Sequence, residues 1–140
     1  MAYKALDIAN KIISKTDLEH GDTISNLKLQ KMLYYQQGFH LAYFGTPLFD
    51  EDIVAWQYVP SVYKEYKSFE SNSISTSEEG ISLSDDEEEL FNNVYEEYNQ
   101  FSAVALMKMT HEESPWKTTE INSVISRDKM AAFFKTQIEA

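Results

Sequence analysis

The chain has 140 residues, a net charge of −11 and no cysteine. That length fits one domain, and a chain of this size buries roughly 68–70% of the surface its unfolded form exposes, enough for a core without staples. The missing cysteines exclude disulfides, thiolate metal sites and a cysteine nucleophile, and they fit a reducing compartment. The excess of acids makes bare DNA or RNA a poor partner, because phosphate binding depends on Lys and Arg. A basic protein suits such a charge better, since complementary potentials speed encounter; solubility is the plainer use of it. Two Trp, nine Tyr and eight Phe within a hydrophobic fraction of 43% supply a core, so disorder of the whole chain is not expected. The longest strictly apolar runs, such as Ala103 to Met107, have five residues, too few to span a membrane. Asp7 falls where a signal peptide would want an apolar residue. The expected location is the cytoplasm.

Taken in order, Ala2, Ala5, Leu6, Ala9, Ile12 and Ile13 recur at helical spacing and predict an amphipathic helix over 2–15. Asp17 to Thr23 contains Gly21 and reads as a turn. Ser25 or Asn26 caps the next helix, which runs to Phe44. Leu29, Met32, Leu33, Gln36, Phe39, His40 and Tyr43 fall along one face of it, and Gly45-Thr46-Pro47 stops it. Ile53 to Tyr58 is rich in β-branched and aromatic residues and predicts a strand, which Pro60 interrupts. Ser61 to Phe69 predicts a helix with Val62, Tyr66 and Phe69 on one side.

Ser68 to Ser84 holds seven serines and Gly80. Residues 70–84 are therefore expected to be a mobile loop or a hairpin within the domain. Ser84-Asp85-Asp86-Glu87 is a capping box, and the acids at 85–89 occupy a first turn where the helix dipole favours negative charge. Leu90, Phe91, Val94, Tyr95 and Tyr98 then form an apolar stripe. Ser102 caps a short helix through Met109, Thr110 to Trp116 reads as a turn, and Ser126 caps a last helix carrying Met130, Phe133, Phe134 and Ile138.

Catalytic constellations are scarce. Four glycines, at 21, 38, 45 and 80, make neither a phosphate-cradling loop nor a dinucleotide turn, and there is no nucleophile elbow. His111-Glu112-Glu113-Ser114-Pro115 opens like a zinc-protease helix, but Pro115 stands where the second histidine belongs. A zinc site would have to gather His20, His40 and His111 without a thiolate. The acidic runs Asp50 to Asp52 and Asp85 to Glu89 lack the alternating spacing and turn glycine of a calcium loop. No catalytic residue, metal ligand or cofactor is therefore assigned. His111 beside Trp116 is read as a structural corner, with a partner-contacting or pH-sensitive role as the alternative.

The tyrosines are the remaining candidates. Each brings an apolar face and a hydroxyl that stays wet or paired, which is why Tyr and Trp are enriched among binding hot spots. Tyr34, Tyr35, Tyr58, Tyr63 and Tyr66 are expected to contact a partner; the alternative, core packing with hydroxyls at the rim, is expected for more than half of the set they form with Tyr43, Tyr95 and Tyr98.

Three ordered motifs carry a resemblance. Ser25 to Ala42 reads Ser-Asn-Leu-Lys-Leu-Gln-Lys-Met-Leu-Tyr-Tyr-Gln-Gln-Gly-Phe-His-Leu-Ala. Pro47 to Tyr63 contains Pro-Leu-Phe-Asp-Glu-Asp-Ile, Ala-Trp-Gln-Tyr and Val-Pro-Ser-Val-Tyr, and Thr110 to Trp116 follows. Together they resemble the phage-associated Panacea family, also called the SocA-like antitoxin domain, over nearly the whole chain. One departure is sharp. The family pattern has Gly-Pro-Val after the strand tyrosine, whereas here Tyr58 joins Val59-Pro60 directly, and without glycine that turn does not easily visit positive φ. The family-motif residues Leu27, Leu29, Gln30, Gly38, His40, Trp56, Pro60, Thr110, His111, Pro115 and Trp116 are expected to be structural.

The resemblance implies an antitoxin that binds and neutralises a toxin, in some relatives by handing it to a protease. Toxins paired with such domains often resemble basic enzymes acting on RNA or nucleotides, in keeping with the acidic charge. The chain opens on the domain's first helix, so direct DNA autoregulation is not expected. The expected fold is a single α+β domain over 1–140, mostly helical, with five or six helices and a small antiparallel β element. The expected function is non-enzymatic: inhibition of a protein partner through aromatic and acidic side chains of the helices near 28–44 and 61–69. An inhibitor of a host defence protein, of the anti-CRISPR or anti-restriction kind, uses the same surface physics on another target. A hydrolase with His111 as general base is the enzymatic alternative, and a DNA mimic would need rows of acids where this chain has short blocks.

Overall fold

The structure is a computed structural model that describes residues 3–20, 26–50, 53–55, 60–61, 83–120 and 123–138. Among these the chain is mostly helical. Six helices run in the order α1 (Ala5–His20), α2 (Asn26–Phe44), α3 (Asp85–Asn99), α4 (Ala103–His111), α5 (Ser114–Lys117) and α6 (Arg127–Ile138). Strand β1 (Val54–Ala55) precedes β2 (Pro60–Ser61), and the two pair antiparallel, Val54 opposite Ser61 and Ala55 opposite Pro60. Residues 56–59 and 62–82 lie outside the described residues, and with them half of the expected strand and most of the expected helix and serine-rich loop. Ser61 does not open a helix as expected; it pairs with Val54.

Helix α2 is the centre. Its apolar residues share the helix with Gln30, Lys31, Gln36, Gln37 and His40, so no face is purely polar. Such a helix is stable only when enclosed. Every residue from Leu29 to Gly38 is buried, as are His40 and Leu41. The expectation of a single buried face is thereby corrected: α6, α3, α4, α1 and β2 all pack on α2 and together cover its circumference. Each fully buried Leu, Met or Phe side chain contributes roughly 1.5–3 kcal/mol by leaving water. Gly45, at φ 74, ends the helix in the left-handed conformation that glycine adopts without strain.

Helix α1 turns Ile8, Ala9, Ile12 and Ile13 inward. It continues through Asp17–His20, which had been expected to turn. Lys11 and Lys15 pair with Glu88 and Glu96 of α3, at 3.0 and 3.7 Å. The stretch before α1 is pinned by a parallel bridge between Tyr3 and Phe49.

Helix α3 begins at the predicted capping box. Ser84 Oγ accepts from the Glu87 N–H while the Glu87 side chain accepts from the Ser84 N–H. At its other end the Lys28 ammonium donates to Asn99 O at 2.8 Å, a cation on the helix's terminal carbonyls. Ser102 caps α4, which extends to His111, two residues past the expected end. The expected Thr110–Trp116 turn is instead the end of α4 and the short helix α5. Pro115 sits in α5's first turn, where its missing N–H leaves no hydrogen bond unmade. Ser126 Oγ accepts from Lys129 N–H at the start of α6, which buries Met130 and Phe134.

Candidate functional site

The sequence motifs in α2 and at 110–116 meet in the interior. Tyr34 and Tyr35 both donate their hydroxyls to the Glu113 carboxylate, at 2.9 and 2.8 Å. One turn before Tyr35 in α2, Lys31 Nζ donates to Thr110 Oγ1 at 3.1 Å. Burial pushes the Glu113 carboxyl up to about 7, against the pull of the two phenols and Lys31. Burial likewise lowers the Lys31 ammonium to about 7, with Glu113 opposing. Both phenol groups are raised, first by burial and then by the neighbouring Glu113 charge. The cluster is a polar clamp joining α2 to the α4–α5 corner.

Amides do the same elsewhere along α2. Gln36 donates to Phe91 O of α3 at 3.0 Å. Gln37 donates to Phe49 O at 2.9 Å and accepts from the N–H groups of Leu48 and Phe49 at 2.7 and 3.2 Å. His40 faces Thr46 O at 2.6 Å and a Glu87 carboxylate oxygen at 2.7 Å. Both ring nitrogens are thus engaged, and His40 ties the end of α2 to the Thr46 backbone and to α3. Glu87 is the shared acceptor for His40, Tyr3 and Ser84. Burial works against its ionisation, but these donors outweigh burial and hold the carboxyl down to about 2.

The placement of the expected residues divides sharply. Tyr34 and Tyr35, expected to touch a partner, have no exposed surface. Their rings pack edge-on to each other and to Phe134, and Tyr35 stacks on Tyr98 with centroids 3.9 Å apart. Neither offers a contact face, because Glu113 draws both hydroxyls inward. Tyr58, Tyr63 and Tyr66 lie outside the described residues, as does Trp56. Leu27 lies in α2 and Pro60 in β2. Leu29, Gln30, Gly38, His40, Thr110 and Pro115 are buried. The His111 ring stacks on Trp116 at 4.0 Å and 20°, so the pair packs as one unit at the corner.

The exposed candidate is a trough. Its roomier end, about 410 Å³, lies among Phe39 and Tyr43 of α2, Leu90, Val94 and Tyr98 of α3, and Ile138 of α6. A second cavity of about 230 Å³ continues it past Phe44, and both share Tyr43, Leu90 and Asn93. Tyr43 is 57% exposed and Phe44 39%. Asp86, Glu89 and Glu97 rim the trough, and among the described residues no lysine, arginine or histidine lines it. Periodicity had assigned Tyr43 to the core face of α2. The signal that could have found the trough was its position two residues before Gly45, where the helix leaves the core. His111 lines neither cavity. Among the described residues no cluster of His, Asp and Glu could hold a metal ion, and no helix is long and apolar enough to cross a membrane.

Comparison with curated proteins and with solved structures gives no match. A family description, antitoxin SocA-like, Panacea domain, matches residues 29–117. That span takes in α2, the trough wall on α3 and the clamp residues from Lys31 to Glu113, so the chain belongs to the SocA-like antitoxin family and carries its Panacea domain.

Proposed function

We propose that the chain neutralises a toxin by direct binding, covering the toxin's working surface with its own aromatic and acidic groups. The family assignment over residues 29–117 carries this reading. The net charge of −11 supports it, since it suits a basic enzyme. The exposed rings of Tyr43 and Phe44 support it as well, being the side-chain type that anchors protein interfaces.

The test is growth rescue. The chain is co-expressed with the product of each neighbouring gene, and one combination should convert a growth arrest into growth while the two proteins co-purify. If no toxic neighbour is relieved, the reading falls. Following toxin abundance during the rescue separates occlusion from handover to a protease: occlusion leaves the level unchanged, handover lowers it. His111→Ala serves as the control for bond-making chemistry. Loss of rescue with toxin binding and melting temperature intact would point to turnover.

A further inference from the structure

We infer that the trough between the end of α2 and α3 is the docking site for a basic, amphipathic segment of a protein partner. The inference rests on the neutralisation reading only for the identity of that partner. The lining is mixed: Phe39, Leu90, Val94 and Tyr98 supply apolar and aromatic surface beside the polar Asn93, Glu97 and Gln137, with Tyr43 exposed alongside. Its length is set by α3. Asp86, Leu90, Asn93 and Glu97 recur every three or four residues and lie on one stripe, spanning roughly 16 Å at 1.5 Å per residue. That is about three turns of a docked helix, room enough for anchors at i, i+4 and i+7, which together span about 10 Å.

Charge selects the occupant. Three carboxylates, Asp86, Glu89 and Glu97, border the trough without a cation on its lining among the described residues. The acids of α3 that face α1 are already engaged, Glu88 with Lys11 and Glu96 with Lys15. No ion pair among the described residues uses Asp86, Glu89 or Glu97. A ligand carrying Lys or Arg beside its apolar anchors supplies what the rim lacks. Nucleic acid and anionic membranes meet the rim with like charge, and so does a second copy of a chain at −11.

A labelled Leu/Lys amphipathic peptide of about 18 residues, five helical turns, is the probe, with a Leu/Glu peptide of the same pattern as its control. Backbone amide shifts on titration should move at 86–98 and 39–44, the Leu/Glu peptide should leave them still, and affinity should fall with salt. The double variant Glu89→Lys/Glu97→Lys, both positions exposed, should weaken the Leu/Lys peptide by about tenfold or more with an unchanged melting temperature. Shifts elsewhere, or equal affinity in the variant, overturn the site. So does a concentration-dependent dimer that moves the same amides, which would give the trough to a second copy. The rescue assay separates the two readings. A charge-reversed variant that still rescues refutes the trough and leaves neutralisation standing. A chain that rescues from no toxin yet binds the peptide in the trough does the opposite.

Discussion

A methyl group at position 38 would land on the ring of Phe134, overlapping its Cε2 and Cδ2 carbons. That ring has no room to retreat, since Tyr34, Tyr35, Phe39 and Phe133 surround it with centroids 4.8 to 5.8 Å away. Glycine in a helix interior costs roughly 0.5–1 kcal/mol relative to alanine, and here the close approach of α6 outweighs that cost. Gly38→Ala is expected to destabilise by about 1–3 kcal/mol through overpacking, read as a lower denaturant midpoint, and Gly38→Ala/Phe134→Leu should recover part of the loss. A midpoint that rises would mean the ring shifts freely. Glu113 makes a second prediction, in pH. Its carboxyl holds its proton up to about 7 when folded, against an ordinary 4.5. The folded state therefore binds that proton more tightly, and the stability this gives is complete below pH 4.5 and lost as pH rises through 7. Lys31, lowered to about 7 from 10.5, works in the opposite sense, adding stability as pH climbs from 7 toward 10.5. Relative to wild type, Glu113→Gln should gain about 1–3 kcal/mol between pH 5 and 8. Parallel melting curves across that range would refute it.

For α2 as an element, the buried amides serve as connectors. Gln37 satisfies two backbone N–H groups and one carbonyl of Leu48 and Phe49, and those groups would otherwise be buried unmade. Gln37→Ala should cost about 2–5 kcal/mol and loosen 47–50, seen as faster hydrogen exchange at the Leu48 and Phe49 amides; unaltered exchange there would mean water replaces the side chain. Much at this scale was legible in the sequence. The Ser84–Glu87 box, the Ser102 and Ser126 caps and the Gly45 stop are local signals, and each marks an observed helix end. What escaped is non-local. The end of α1 overran an expected turn because helix ends yield to packing as well as propensity. Spacing alone could not reveal that several elements enclose α2 on every side. Nor could it show that Tyr34 and Tyr35 bond to a glutamate nearly 80 positions later. The trough was illegible for the same reason: α2, α3 and α6, far apart in sequence, each contribute part of its wall.

At the scale of the whole molecule, charge and shape should control different steps of association. The net charge of −11 acts over a Debye length of about 8 Å at physiological salt, so a basic partner of the kind proposed would be drawn in before any contact forms. The apolar part of the trough lining acts only after contact, by holding anchors out of water. Rim charges accordingly set the association rate and its salt dependence, whereas buried anchors set the dissociation rate. Raising salt from about 0.05 to 0.5 M shrinks the Debye length from roughly 14 to 4 Å. If the proposed neutralisation holds, the association rate with the toxin should then fall by about tenfold or more, while the dissociation rate moves far less. Leu90→Ala should show the reverse pattern, with faster dissociation at an unchanged association rate. Both are readable from one set of surface-binding or stopped-flow traces. An association rate indifferent to salt would mean that the acids of α3 keep the chain soluble and do not guide the partner. A Leu90→Ala dissociation rate equal to wild type would place the anchors elsewhere on the surface.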